Sequence, residues 1–168
     1  MTASKTQVLT AKQINQRIDR LAYEIYENNY QEKSIILAGI EGRGSEMAQL
    51  LVSKLREISP IEVTPITIKV NKRSPVDSEP ELSIENDQLK DQVVILIDDV
   101  LNSGKTLIYG LKRFLRVPLK RLRTVVLVDR DHKRYPVKAD YVGLSLSTTL
   151  QEHITVVLSG EEKGVYLD

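Results

Sequence analysis

Val93-Val94-Ile95-Leu96-Ile97-Asp98-Asp99-Val100-Leu101-Asn102-Ser103-Gly104-Lys105-Thr106 is the stretch on which the reading of this chain turns. Val93–Ile97 is an unbroken run of β-branched and aliphatic residues, the signature of a strand covered on both faces. It runs directly into two carboxylates and then into a small, hydroxyl-bearing turn with one glycine. Lys105 to Leu115 then reads as a helix. Amides at the start of that helix point outward at its positive end, which suits a phosphate. Gly104 lets the backbone approach closely. Ser103 and Thr106 add hydroxyls, and Asp98 and Asp99 can accept hydrogen bonds from two vicinal hydroxyls of a ribose. Three other readings compete. Gly104-Lys105-Thr106 looks like the end of a P-loop, but that pattern requires glycine where this chain has Asp99. The acid pair could hold a divalent metal. The turn could also be a plain helix cap beside solvated acids, although adjacent carboxylates repel without a ligand or cation.

Outward from this segment, strands and helices alternate. Thr10-Ala11-Lys12-Gln13 has the pattern of a capping box. Ile14, Ile18, Leu21, Ala22 and Ile25 then recur at helical spacing, which predicts a helix over 11–28. Ser34–Ala38 reads as a buried strand, Gly39–Gly44 as a loop and Ser45–Ile58 as a helix burying Met47, Leu50, Leu51, Leu55 and Ile58. Ile61–Val70 reads as a strand. Asn71–Gln92 carries Ser74-Pro75, Glu79-Pro80 and many charges without periodicity, which predicts a mobile loop or loose hairpin, often functional at this length. Thr124–Val128 is another buried strand and Arg130–Ala139 a polar segment. Shorter strands follow near Tyr141–Leu144, Thr155–Leu158 and Val165–Leu167. The order implies an α/β fold with a mostly parallel sheet and helices on both faces. Ligands of such sheets bind at the carboxyl ends of the strands, here the loops Gly39–Gly44, Asn102–Thr106 and Asp129–Lys133.

Composition narrows the classes further. The chain has 168 residues, 41% hydrophobic and 28% charged, with a net charge of +1. That length fits one domain with a full core. With no cysteine, disulfides, thiolate metal sites and cysteine nucleophiles are excluded, and two histidines are too few for a histidine-rich metal centre. No apolar leader and no stretch near the ~20 apolar residues of a membrane span is evident, so a cytoplasmic location is expected.

The run from Val94 to Thr106 resembles the 5-phosphoribosyl 1-diphosphate (PRPP) motif of type I phosphoribosyltransferases. The order is the same: apolar residues, two acids, two apolar residues, a variable position, then Ser-Gly-Lys-Thr. The resemblance implies that Asp98 and Asp99 hold the ribose hydroxyls, while Asn102, Ser103, Gly104, Lys105 and Thr106 hold the 5-phosphate. Ile36–Gly44 stands where the family has its pyrophosphate loop, implicating Ile40, Glu41, Gly42 and Arg43, with Arg43 beside Asp98 and Asp99 as the catalytic groups. A cis peptide is expected at Ile40–Glu41 by the same resemblance. Leu127–Gly143, with Val-Asp-Arg, a histidine two residues on, a proline and Ala-Asp-Tyr-Val-Gly, resembles the PyrR-like pyrimidine regulatory proteins and uracil phosphoribosyltransferases. It implies that Asp129, Arg130, Tyr141 and Val142 line the base pocket.

The likeness spans about Val8 to the C-terminus and is poor between Val70 and Gln92. It implies one phosphoribosyltransferase domain over 1–168, with a lid at about 71–92 carrying Lys72 and Arg73 and a small hood built near both termini. It implies transfer of phosphoribosyl from PRPP to a nucleobase, with Mg²⁺ held through PRPP and water instead of a protein cage. A homodimer or higher homo-oligomer is also implied, with no membrane partner. Two substitutions bear on the activity. Asn102 stands where hypoxanthine–guanine enzymes carry an aspartate that handles the purine N7 proton; an amide cannot take that proton, which favours uracil and a UMP-like product. Glu41 replaces a lysine common in the pyrophosphate loop. The alternatives are a purine phosphoribosyltransferase and a PyrR-type nucleotide-sensing, RNA-binding attenuation regulator. RNA is the less favoured partner: Lys112, Arg113, Arg116, Lys120, Arg121 and Arg123 cluster in sequence, but cations gather at helix C-termini for other reasons.

Overall fold

Thr10 ends one element and starts the next. Its side chain accepts from the Gln13 amide at 3.2 Å while the Gln13 side chain accepts from the Thr10 amide at 2.9 Å. This reciprocal box closes the N-terminus of α1 (Ala11–Asn29), whose buried stripe is Ile14, Ile18, Leu21, Ala22 and Ile25. Thr10→Ala removes the box and is expected to cost about 1 kcal/mol in urea-melt stability.

The computed structural model describes residues 4–168. The elements that follow α1 are β2 (Ser34–Ile40), α2 (Arg43–Ile58), β3 (Glu62–Lys69), β4 (Glu81–Leu82), β5 (Val93–Leu101), α3 (Lys105–Phe114), β6 (Arg121–Asp129), β7 (Tyr141–Ser145), β8 (Ile154–Val157) and β9 (Gly164–Leu167). One sheet has the order β4-β3-β2-β5-β6-β7; its β3, β2, β5, β6 and β7 run parallel and only β4 is antiparallel. Helices α1 and α2 cover one face, where Ile35, Leu37, Ile95, Ile97 and Val125 meet Ile14, Leu21, Met47 and Leu51. Helix α3 covers the other, where Val94, Leu96 and Val126 meet Leu107 and Phe114. The α/β architecture expected of a type I phosphoribosyltransferase is therefore the observed one.

A second sheet, β1-β9-β8, is antiparallel and joins β1 (Thr6–Thr10) to two strands from the other end of the chain. This is the small hood. Sequence patterning alone missed β1, because of its five residues only Leu9 is buried.

Of the two readings of Asn71–Gln92, the loose hairpin is the observed one: Glu81–Leu82 pairs back onto Ile68–Lys69, and a single turn of 3₁₀ helix spans Asn86–Gln88. The anchors are Leu82, Ile84 and the fully buried Leu89, which drop into the α3-side core without forming a periodic pattern. The loop proper shrinks to about 70–80. Strand β5, moreover, does not stop at Ile97. It continues through both acids to Leu101, in register with β6 from Val93↔Arg121 to Leu101↔Asp129. Across Asp98–Asp99 the alternation of faces changes phase: Ile95, Ile97 and Val100 all serve the α1/α2 core, whereas Val94, Leu96 and Leu101 serve the other.

Candidate functional site

The carboxyl ends of β2, β5 and β6 meet at one edge, and the acid pair sits in the middle of it. Asp98 is buried and Asp99 half-buried; the Asp98 carboxylate accepts from the Asp99 amide at 2.9 Å. Burial, reinforced by the Asp99 charge beside it, pushes the Asp98 carboxyl up to about 8, with Lys72 pulling the other way. A cavity of about 150 Å³ opens here, lined by the run from Asp98 to Leu107 together with Lys72 and Val126. Asp98, Asp99, Asn102, Ser103, Gly104, Lys105 and Thr106, singled out in the sequence, thus share one cavity with the lid residue Lys72.

The turn beyond β5 is built for an anion. Gly104 caps α3 in the left-handed region (φ 88°), and a Cβ there would lie 2.5 Å from Val137 Cγ1. No L side chain fits comfortably at that position. The Ser103 hydroxyl accepts from the Lys105 amide at 3.2 Å, and the Gly104 carbonyl accepts from the Ile108 amide. The intervening first-turn amides, with the Thr106 hydroxyl, remain directed at the helix end, where the dipole favours negative charge. The Ser103 carbonyl in turn accepts from the amides of Arg134 and Tyr135, which clamp the 134–137 segment over the turn. Sequence reading did not anticipate this clamp. Its only signal was the apolar Tyr135-Pro136-Val137 within an otherwise polar stretch.

The pyrophosphate-loop candidates lie on the neighbouring strand. Ile40 is the buried last residue of β2, and Glu41, Gly42 and Arg43 are exposed. Arg43 is the first residue of α2 and not a loop residue. Gly42 caps that helix at φ 100°, ψ −128°, a region open essentially to glycine alone. Among the described residues there is no cis peptide bond; the Glu41 amide donates to the Ile68 carbonyl at 2.9 Å, holding the loop to β3. Glu41, which replaces the loop lysine, lines a second cavity with Lys69, Lys72 and Arg73 and with two further carboxylates, Glu79 and Glu81.

The base-pocket candidates separate. Asp129 and Arg130 do reach the site edge. The Asp129 carboxylate accepts from the Asp131 amide at 2.9 Å and lies 3.7 Å from Lys133 Nζ. Arg130 is buried, with its guanidinium fully engaged by Asn102, Thr148, Thr149 and Glu152. Tyr141 is different. It is the first residue of β7 and lies in the core beside α1, where burial pushes its phenol up. Strand alternation turns it to the α1/α2 face, away from the cavity that holds the acid pair. Val142 faces the α3 side, and its carbonyl accepts from Arg20 at 2.7 Å.

The basic residues at the end of α3 and beyond it are only partly matched by acids, four of them sharing two glutamates. Lys112 and Arg116 lie 3.7 and 3.0 Å from Glu79, and Lys120 and Arg121 lie 2.8 and 3.5 Å from Glu32. Arg113 donates to Asn86 at 2.7 Å. These bonds tie the cluster to the lid and to the strand bases, while the six cations outnumber the two glutamates and leave the face net positive. Among the described residues, no helix is long and apolar enough to cross a membrane.

Residues 4–159 match the phosphoribosyl transferase domain family. The Bifunctional protein PyrR of Deinococcus radiodurans is 36% identical over 94% of this chain and 90% of its own. That of Clostridium acetobutylicum is 35% identical over 96% of each. Among solved structures, a hypoxanthine phosphoribosyltransferase from Trypanosoma cruzi superposes with a TM-score of 0.76 at 21% identity, over 87% of this chain and 73% of that one, a likeness of fold. An acid pair and a glycine-capped anion turn at the carboxyl edge of a parallel sheet, within a match running nearly end to end, place this chain in the phosphoribosyl transferase domain family.

Proposed function

We propose that this protein transfers the phosphoribosyl group of PRPP to uracil, giving UMP and pyrophosphate. The observation that carries the reading is the single cavity holding Asp98, Asp99 and the Asn102–Thr106 turn. A ribose 5-phosphate fits its chemistry: amides and hydroxyls at one end, two carboxylates for vicinal hydroxyls at the other. The bond from C1 of the ribose to the diphosphate oxygen breaks, and the bond from C1 to the base nitrogen forms. The base gives up its N–H proton, and pyrophosphate leaves with the bonding electron pair. Positive charge grows on the ribose as the two separate. Fixing both reactants and placing fixed charge beside that centre is the main catalytic device available. The Asp98–Asp99 pair lies beside the sugar, while Arg43 and the Lys72–Arg73 segment approach the diphosphate side.

A divalent cation fits the acid pair, because two adjacent hard-oxygen donors, one buried and reluctant to ionise, gain from a shared positive charge. Two carboxylates alone fall short of a cage, and no larger cluster of His, Cys, Asp or Glu stands among the described residues. Asp98 and Asp99 would thus hold Mg²⁺ through ligand hydroxyls and water, where it would supply charge neutralisation of the diphosphate. Asn102 supports uracil over a purine that must surrender a proton at that position, and the PyrR-like pattern points the same way. A dimer, a cytoplasmic location and a base pocket edged by Asp129 belong to the same proposal.

Incubation with PRPP, Mg²⁺ and single free bases tests it. UMP and pyrophosphate should form with uracil alone. Turnover with guanine or hypoxanthine would refute the choice of base. Binding of PRPP or UMP without turnover would favour a regulator that senses nucleotides.

A further inference from the structure

Among the described residues, Arg130 and Asp98 are the buried charged side chains, and they flank the same loop. Arg130 Nε donates to Thr148 Oγ1 at 2.9 Å, Nη1 to Asn102 Oδ1 at 2.9 Å, and Nη2 to the carbonyls of Thr149 and Glu152 at 3.2 and 2.6 Å. A guanidinium has donors only. The atom of Asn102 that faces Arg130 must therefore be the amide oxygen. A free asparagine amide can turn over and offer either end to a ligand; this one is held. Asn102 is exposed and lines the cavity of the acid pair and the anion turn. Its remaining end is Nδ2, with two N–H groups and no acceptor for them among its recorded hydrogen bonds. The same arginine grips residues 148–152, the approach to β8, so the sugar-phosphate loop and the hood segment are held in register by one side chain.

We propose that Arg130 is a positioning residue that fixes the Asn102 amide with its N–H groups toward the nucleobase, so that the site selects a base presenting a carbonyl oxygen there. The inference deepens the phosphoribosyltransferase reading and rests on it. A base that presents an N–H at that point meets donor against donor. Glu152 adds to the fixture: its carboxylate accepts from the Thr149 amide, and His132 Nε2 bonds the Thr148 carbonyl. The 148–152 segment is thereby shaped to receive the guanidinium.

Calorimetric titration with ribose 5-phosphate, UMP and CMP tests the proposal without depending on turnover. Ribose 5-phosphate reports the sugar-phosphate cradle alone; the nucleotides add the base. Asn102→Asp keeps an oxygen for Arg130 but turns an acceptor toward the base. UMP affinity should fall at least tenfold more than ribose 5-phosphate affinity, and the ratio of UMP to CMP affinity should shrink, since cytosine offers an amino N–H where uracil offers a carbonyl. Arg130→Lys has one donor group in place of the fork and should weaken UMP by a similar factor with the same sparing of ribose 5-phosphate. Should Arg130→Lys fail to fold, Asn102→Asp decides alone, since it leaves the Thr148, Thr149 and Glu152 bonds intact. Equal weakening of all three ligands, or an unchanged UMP to CMP ratio, would show that Arg130 is only a structural brace. Failure of the wild-type protein to bind ribose 5-phosphate or PRPP would instead remove the underlying reading.

Discussion

Asp98→Asn should make the protein more stable and much less active, with the stability gain appearing only as pH rises. The Asp98 carboxyl ionises at about 8 when folded, against an ordinary 3.8. The folded state therefore binds this proton more tightly than the unfolded chain, and the stability the proton confers is lost as pH climbs from about 4 through 8. A shift of that size corresponds to ~6 kcal/mol if nothing relaxes. Water entry and movement of Lys72 reduce it, and we expect a gain of about 2–3 kcal/mol for the asparagine at pH 8.5. For a chain of this length that is a rise of roughly 5–10 °C in melting temperature. At pH 4 the two proteins should melt nearly together, since aspartate is then neutral when folded and only about half ionised when unfolded, so most of the difference has gone. Asparagine keeps an oxygen for the Asp99 amide, so the local backbone need not move. What it loses is the charge. At pH 8.5, where Asp98 is ionised, loss of its charge-assisted bond to a ribose hydroxyl, at ~1.5–3 kcal/mol, implies a fall in kcat/KM of roughly 10- to 100-fold. Melting curves at pH 4 and 8.5, with turnover on PRPP and uracil, check both halves. Equal melting at both pH values would show that the burial of this carboxyl carries no strain.

Gly44→Ala should act in the opposite sense and damage fold and site together. In an ordinary helix the change gains about 1 kcal/mol. Here the added Cβ would sit 2.7 Å from the Ile97 carbonyl oxygen and 3.4 Å from Asp98 Cα. Those are backbone atoms of the central strand and cannot swing aside. Helix α2 would have to lift off the sheet, and overpacking of that kind costs ~1–3 kcal/mol or more, which outweighs the propensity gain. We expect a net loss of about 2 kcal/mol and a drop of roughly 4–8 °C in melting temperature. PRPP binding should weaken as well, because the same shift moves Glu41–Arg43 relative to Asp98. Thermal melts and PRPP titration measure the two effects separately.

How much could be read in the residues alone follows from what each part depends on. Helix α1 was legible in full because cap and apolar stripe are local. Buried strands such as Val93–Ile97 were legible as apolar runs. The extension of β5 through Asp98 to Leu101 was not, since polar residues persist in a strand only when a neighbour, here β6 to Asp129, continues the ladder. The short β4 and β1 exist through pairing with distant partners and leave little local trace. At the site, the Asp98–Thr106 run is contiguous and could be assembled without a structure. Tyr141 could not be placed, because a one-residue change of strand face decides between core and cavity. Nor could Arg130, whose partners at 102, 148, 149 and 152 are far apart in sequence.

The β1-β9-β8 sheet sets the order in which the molecule can be completed. Thr6 pairs with Leu167 and Thr10 with Gly164, so β1 has no ladder partner until β9 has been synthesised. The parallel core can consolidate on the emerging chain, while β1 must wait for the last strand to leave the ribosome. Closing so large a loop is entropically slow. Loss of the final strand would therefore unzip the opening one as well, and protection of the Leu9 amide from hydrogen exchange is expected to mature last during refolding.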